Sequence, residues 1–80
     1  MMKAQEQLIK GERNSVGNHR REDKGNATKF YYHQTAICTV NWIGKFFLVD
    51  NGGWATSSTS RAINGYKKYF EDLGFNELKK

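Results

Sequence analysis

The chain has a single cysteine, no apolar run longer than Phe46 to Val49 and no aromatic residue before Phe30. Each shortage closes off a class of protein. Cys38 alone cannot form an intrachain disulfide, and a secreted scaffold this short usually carries several, so a reducing, cytoplasmic setting is expected. The longest apolar run is far below the roughly 20 residues that a membrane-crossing helix needs. Met1 to Glu12 mixes charged with apolar side chains and offers neither the apolar stretch nor the cleavage site of a signal peptide, so a soluble, untargeted protein is expected. No Ser-His-Asp set has nucleophile-elbow spacing, and the acidic residues lie mostly at the charged ends of the chain. His19 and His33 with Asp50 or Cys38 match no metal-ligand spacing. Neither an enzyme nor a cofactor or metal site is expected.

With 80 residues, 38% of them apolar and 26% charged, the chain is one small domain. A domain of that size buries only about 60% of the surface its unfolded chain exposes, which leaves no room for a large enzyme fold or a deep cavity. There are 13 basic and 8 acidic residues, a formal charge of +5. The opening stretch to Lys29 holds 7 basic and 4 acidic side chains and has little to bury. From Phe30 to Gly53 come six aromatics with only Lys45 and Asp50 charged, the expected core. Residues 1–14 are expected to be a charged leading segment, 15–75 the domain and 76–80 a charged tail.

Aromatic and β-branched residues dominate Lys29 to Asn41, which predicts one long strand, and Lys45 to Asp50 predicts a second. Asn41-Trp42-Ile43-Gly44 between them has the composition of a hairpin loop with a residue at positive φ. Ser15 to Glu22 predicts a third strand at the sheet edge, joined through the turn sequence Asp23-Lys24-Gly25-Asn26. Beyond Asn51-Gly52-Gly53, the Thr56 to Thr59 cluster supplies N-capping oxygens, and a helix is expected from about Ser58 to Leu73. Its apolar stripe is Thr59, Ala62, Ile63, Tyr66, Tyr69, Phe70 and Leu73, with Arg61, Gly65, Lys68 and Asp72 opposite. Gly74 followed by Phe75 reads as a glycine C-cap with an apolar contact back to the last turn. A short helix over Lys3 to Ile9 forms if Leu8 and Ile9 dock. The expected fold is α+β: a three-stranded antiparallel sheet with one C-terminal helix on one face, β-β-β-α, and the other face open.

Strand alternation then divides the aromatics. Phe30, Tyr32, Ala36, Cys38 and Val40 are expected on the core face, and Tyr31, His33, Thr35, Ile37 and Thr39 on the open one. The same alternation puts His33 and Cys38 on opposite sides, against a Cys–His nucleophile pair. Arg13, Arg20, Arg21, Lys24 and Lys29 gather around the first turn, while Arg61, Lys67 and Lys68 ride on the helix. Cations that hold phosphates beside rings that stack on bases make a nucleic-acid platform. A dense small core with solubilising charges accounts for the same residues. The glycines before the helix could present N–H groups to an anion with Arg61 as counter-charge, although a turn plus a cap explains every residue there. Trp54 is expected to plug the corner between sheet and helix.

With these residues placed, the chain resembles a group of small bacteriophage proteins. The pattern is carried by Leu8 and Gly11, Gly17-Asn18, Tyr31 and His33 with Ile37, then Gly53, Trp54, Thr56 and Thr59 ahead of Ile63-Asn64. It spans about Leu8 to Asn64, and Gly-Trp-x-Thr-x-x-Thr is its most specific part. The Lys-Lys-Tyr-Phe stretch and the charged tail depart from it. The resemblance implies a phage origin and brings no activity, catalytic residue or ligand. Two functions are therefore expected. The first is a nucleic-acid-binding protein using Arg20, Arg21, Lys24, Lys29, Arg61 and Lys68 for phosphates and Tyr31 with His33 for bases. The second is an inhibitor that covers a host defence or nucleic-acid-processing protein with the open sheet face. A homodimer through that face is compatible with both.

Overall fold

Two-residue turns organise the first half of the chain, and they recur every eight residues. The computed structural model describes residues 3–53 and 56–78. Helix α1 (Lys3–Ile9) leads into β1 (Ser15–Val16), β2 (His19–Lys24), β3 (Ala27–Tyr32) and β4 (Thr35–Asn41). Val16 pairs with His19, Lys24 with Ala27 and Tyr32 with Thr35, so the turns are Gly17-Asn18, Gly25-Asn26 and His33-Gln34. The first residue of each has φ near 58° or 59°. Gly17 and Gly25 meet that requirement without a Cβ clash. His33 meets it with a side chain, at φ 58°, which few non-glycine residues do.

A fifth strand, β5 (Phe46–Val49), pairs antiparallel with β4. Helix α2 (Ser57–Asp72) then crosses back and returns the chain to β6 (Asn76–Glu77), which lies parallel to β5. The sheet order β1-β2-β3-β4-β5-β6 follows the chain.

Mixed α+β architecture with a C-terminal helix is as expected, but among the described residues the sheet has six strands rather than three, and a second helix forms over Lys3–Ile9, where Leu8 and Ile9 dock. The physical reason is local for two of the expected strands. Ser15 to Glu22 folds over at Gly17-Asn18, so β2 is an inner strand and the two-residue β1 is the edge. Lys29 to Asn41 folds over at His33-Gln34 into β3 and β4. The sixth strand lies beyond the helix, in the residues expected to be tail. The positive φ expected in the β4–β5 loop falls on Lys45, at 55°.

Helix α2 starts and stops where its caps dictate. Thr56 is the N-cap, its Oγ1 accepting from the Thr59 N–H at 3.2 Å. At the other end Phe75 N–H donates to Phe70 O at 2.9 Å and Gly74 N–H to Glu71 O at 3.0 Å, with Gly74 at φ 86°. This paired ending closes with the Phe70 and Phe75 rings 5.5 Å apart, the apolar contact that accompanies such a cap. Thr59, Ala62, Tyr66 and Phe70 are buried as expected, Ile63 and Tyr69 are partly buried, and Leu73 at the cap is exposed.

The core lies between one sheet face and both helices. Phe30, Cys38, Val40 and Phe47 from the sheet meet Ala62, Tyr66 and Phe70 from α2 and Leu8 and Ile9 from α1. Phe30 stacks on Tyr66 with ring centroids 4.7 Å apart. Fully burying each such side chain contributes about 1.5–3 kcal/mol. Gln5 joins the helices by donating from Nε2 to Ala62 O at 2.6 Å. Any Cβ at residue 65 would collide with the Gln5 side chain, so Gly65 is what allows that approach.

Ile37 corrects the expected face assignment. Between Phe30 and Tyr31 the β3–β4 register shifts, from Phe30 opposite Cys38 to Tyr31 opposite Ala36. Ile37 is left over as a bulge, which bends the strand and breaks the two-residue alternation. It is 1% exposed beside an equally buried Cys38, so it belongs to the core and not to an open surface. Trp54, the expected corner plug, lies outside the described residues.

Candidate functional site

Alternation along β2 and β3 assigns each charged residue to a face. Phe30 stacks on α2 and Arg21 reaches α1, so these strand positions face the helices. Arg20, Glu22 and Lys24 on β2 and Ala27, Lys29 and Tyr31 on β3 therefore face the other way. Their cross-strand partners extend the same surface. Lys29 pairs with Thr39, and Thr39 with Leu48; Ala27 pairs with Asn41, and Asn41 with Phe46. Neither helix covers this face.

Arg20 lies over the Tyr31 ring, its guanidinium carbon 4.2 Å from the centroid. A guanidinium held over a ring in this way has its other side available to a further planar group. Glu22 is the only acid on this part of the face. It sits 4.0 Å from Arg20 and 3.5 Å from Lys24, and Lys29 is its partner across the strand pair. With side chains from 37% to 65% exposed, these ion pairs are worth little and leave the cations available. Half-buried Phe46 and Leu48 occupy the β5 end, next to Ile43, which is 73% exposed in the loop before it.

Of the residues selected from sequence, Arg20, Lys24, Lys29 and Tyr31 come together here. The others do not. Arg21 is turned to the helix side, where Nη1 donates to Leu8 O at 2.8 Å and to Ile9 O at 3.1 Å. A cation on the last carbonyls of a helix complements its dipole. The same guanidinium meets Asp23 at 3.1 Å, and Asp23 accepts from Thr28 Oγ1, which itself accepts from Trp42 Nε1 at 2.8 Å. These bonds tie α1, β2, β3 and the β4–β5 loop. They hold the Asp23 carboxyl below its ordinary range, the Thr28 hydrogen bond first and Arg21 second.

Arg61 is exposed on α2, Lys68 pairs with Asp72 at 3.8 Å and Lys67 with Glu77 at 3.4 Å, all on the helix layer. Arg13 is exposed between α1 and β1. His33 occupies its turn at the end of the sheet, its ring 4.4 Å from that of Tyr32. The glycines before α2 are turn residues: Gly52 N–H donates to Asp50 Oδ1 and Gly53 N–H to Asn51 Oδ1, each at 2.9 Å. Those donors are therefore already used. Burial pushes the Cys38 thiol up to about 12, which keeps it protonated at neutral pH. Among the described residues no three His, Cys, Asp or Glu side chains gather as metal ligands.

Phe46 and Leu48 were not singled out from sequence, although strict alternation from Phe47 as a core residue would have found both. The chain matches no family model, no curated protein and no solved structure. No helix among the described residues is long and apolar enough to cross a membrane.

Proposed function

We propose that this protein is a non-enzymatic nucleic-acid-binding protein whose binding surface is the uncovered sheet face. The observation that carries the reading is the Arg20–Tyr31 stack with Lys24 and Lys29 beside it. Cations spaced along two strands hold phosphates, and the guanidinium plane offers a base a stacking partner. The favoured ligand is single-stranded. A guanidinium presented on an open sheet face suits bases that are unstacked and splayed out, as in a single strand. The resemblance to phage proteins supports action inside an infected bacterium.

The test is fluorescence anisotropy of labelled single-stranded and duplex oligonucleotides. Three phosphate contacts predict roughly a twentyfold loss of single-strand affinity between about 50 and 200 mM salt. Arg20→Ala with Lys29→Ala should remove most of that dependence. Absence of binding at the lower salt sinks the reading. The apolar end formed by Phe46, Leu48 and Ile43 favours the second function, a host protein covered by this face. Its signature would be stoichiometric binding that tolerates salt and is lost in Leu48→Asp.

A further inference from the structure

The chain contains two Asn-Gly pairs, Asn51-Gly52 and Asn64-Gly65, and the fold treats them oppositely. The N–H of the residue after an asparagine can attack the asparagine's own Cγ and close a five-membered ring, and glycine in that next place puts no side chain in the way. Gly65 lies inside α2, where the helical ladder takes its N–H and fixes the backbone. Asn51 and Gly52 are instead exposed in the link between β5 and α2. We infer that Asn51 is a site of self-catalysed deamidation, in which the link's own groups supply the base and the oxyanion donor.

Both reacting groups already have the partners the reaction needs. Gly52 N–H, the nucleophile, donates to Asp50 Oδ1 at 2.9 Å, so a carboxylate stands at the proton that must leave. Asn51 Oδ1, where charge gathers as Cγ becomes tetrahedral, accepts from Gly53 N–H at 2.9 Å. To reach residue 53 the Asn51 side chain folds over the intervening peptide, which brings Cγ toward the attacking nitrogen. Gly52 is also required at its place: its φ is 60°, and any Cβ there would collide with Thr35 Cγ2 on β4. The step balances with water as the only co-reactant. The bond from Gly52 N to Asn51 Cγ forms, the Cγ–Nδ2 bond breaks, and the Gly52 proton passes by way of Asp50 to Nδ2, which departs as ammonia. Water then opens the ring at Cγ, giving aspartate, or at the Asn51 backbone carbonyl, giving an isoaspartyl link with one more atom in the main chain. Either product lowers the formal charge of +5 by one, at the entry to α2.

The experiment is incubation of the full chain at neutral pH and physiological temperature, folded and in concentrated urea, with peptide mapping by mass spectrometry for the mass gain of amide-to-acid conversion. In urea the two Asn-Gly pairs should convert at similar rates. In the folded chain Asn51 should convert about tenfold or more faster than it does in urea, in keeping with a positioned base that is weak for an amide proton. Asn64 should fall well below its urea rate, because the helix must open first. Asp50→Ala should return the folded-state rate at Asn51 to the urea rate. Should that variant fail to fold, the folded-against-urea comparison of the unaltered chain decides. An Asn51 rate no faster folded than in urea, equal folded-state rates at Asn51 and Asn64, or a folded Asp50→Ala that converts as fast as the unaltered chain overturns the inference.

Discussion

Arg20 and Arg21 are neighbours in the chain and opposites in the fold. Arg21 spends its donors on α1 carbonyls and Asp23, while Arg20 rests on Tyr31 on a face that no helix covers. The contrast extends to the whole sheet. On the helix side aromatic rings pack and polar groups such as Thr28 and Trp42 satisfy each other. On the open side the cations make only exposed, weak pairs with one acid. The same strands thus build a stabilising layer and a binding layer, and the division falls between adjacent residues.

That division can be broken from either side. Phe30→Ala removes a fully buried ring stacked on Tyr66 and should cost about 3–5 kcal/mol, read from urea unfolding, which for so small a domain approaches its whole stability. Tyr31→Ala, the adjacent residue, should leave the urea midpoint nearly unchanged and weaken single-strand binding by about 1–3 kcal/mol in an anisotropy titration. If both variants lost stability equally, the two-layer division would be wrong. Thr28→Val takes away the acceptor of Trp42 Nε1 and one of the hydrogen bonds to Asp23, which keeps its pair with Arg21, and thermal unfolding should register a loss of about 1–2 kcal/mol without altered affinity at constant folded fraction. Lys29→Ala should change stability by less than about 0.5 kcal/mol and lower the slope of log affinity against log salt by about one.

A smaller, pH-dependent difference separates the layers too. Burial, and secondarily the charge of His33, holds the His19 imidazole below its ordinary 6.5. The folded chain then binds that proton more weakly than the unfolded chain does. His19 therefore contributes stability that is complete above pH 6.5 and is lost as the pH falls through the depressed folded value. Urea midpoints measured from about pH 7.5 down to 5 should decline, and His19→Gln should flatten that decline.

Helix α2 was legible because its signals are local: Thr56 to Thr59 at one end, Gly74-Phe75 at the other and a 3.6-residue stripe between them. The Gly25-Asn26 turn was legible for the same reason. His33-Gln34 was not, since it carries no glycine and lies within a run of strand-forming residues. Gly17-Asn18 was visible only as part of a motif, though its spacing to Gly25 equals that from Gly25 to His33. Ile37 was misplaced because a bulge changes parity without leaving a compositional trace. β6 could not be read at all, for two residues become a strand only when a neighbour meets them, and that neighbour, β5, lies on the far side of α2. At the candidate site, period two already separates Arg20 from Arg21, yet charge alone had grouped them.

The eight-residue spacing of the turns also bears on how the chain acquires its shape. Strands joined by two-residue turns close at small entropic cost, whereas β6 is separated from its partner β5 by the whole of α2. The meander from β1 to β4 should therefore be assembled at the folding barrier, with β6 docking on the downhill side. In stopped-flow experiments Gly25→Ala should chiefly slow folding and Gly74→Ala chiefly hasten unfolding. The reverse assignment would place the nucleus in the crossover instead.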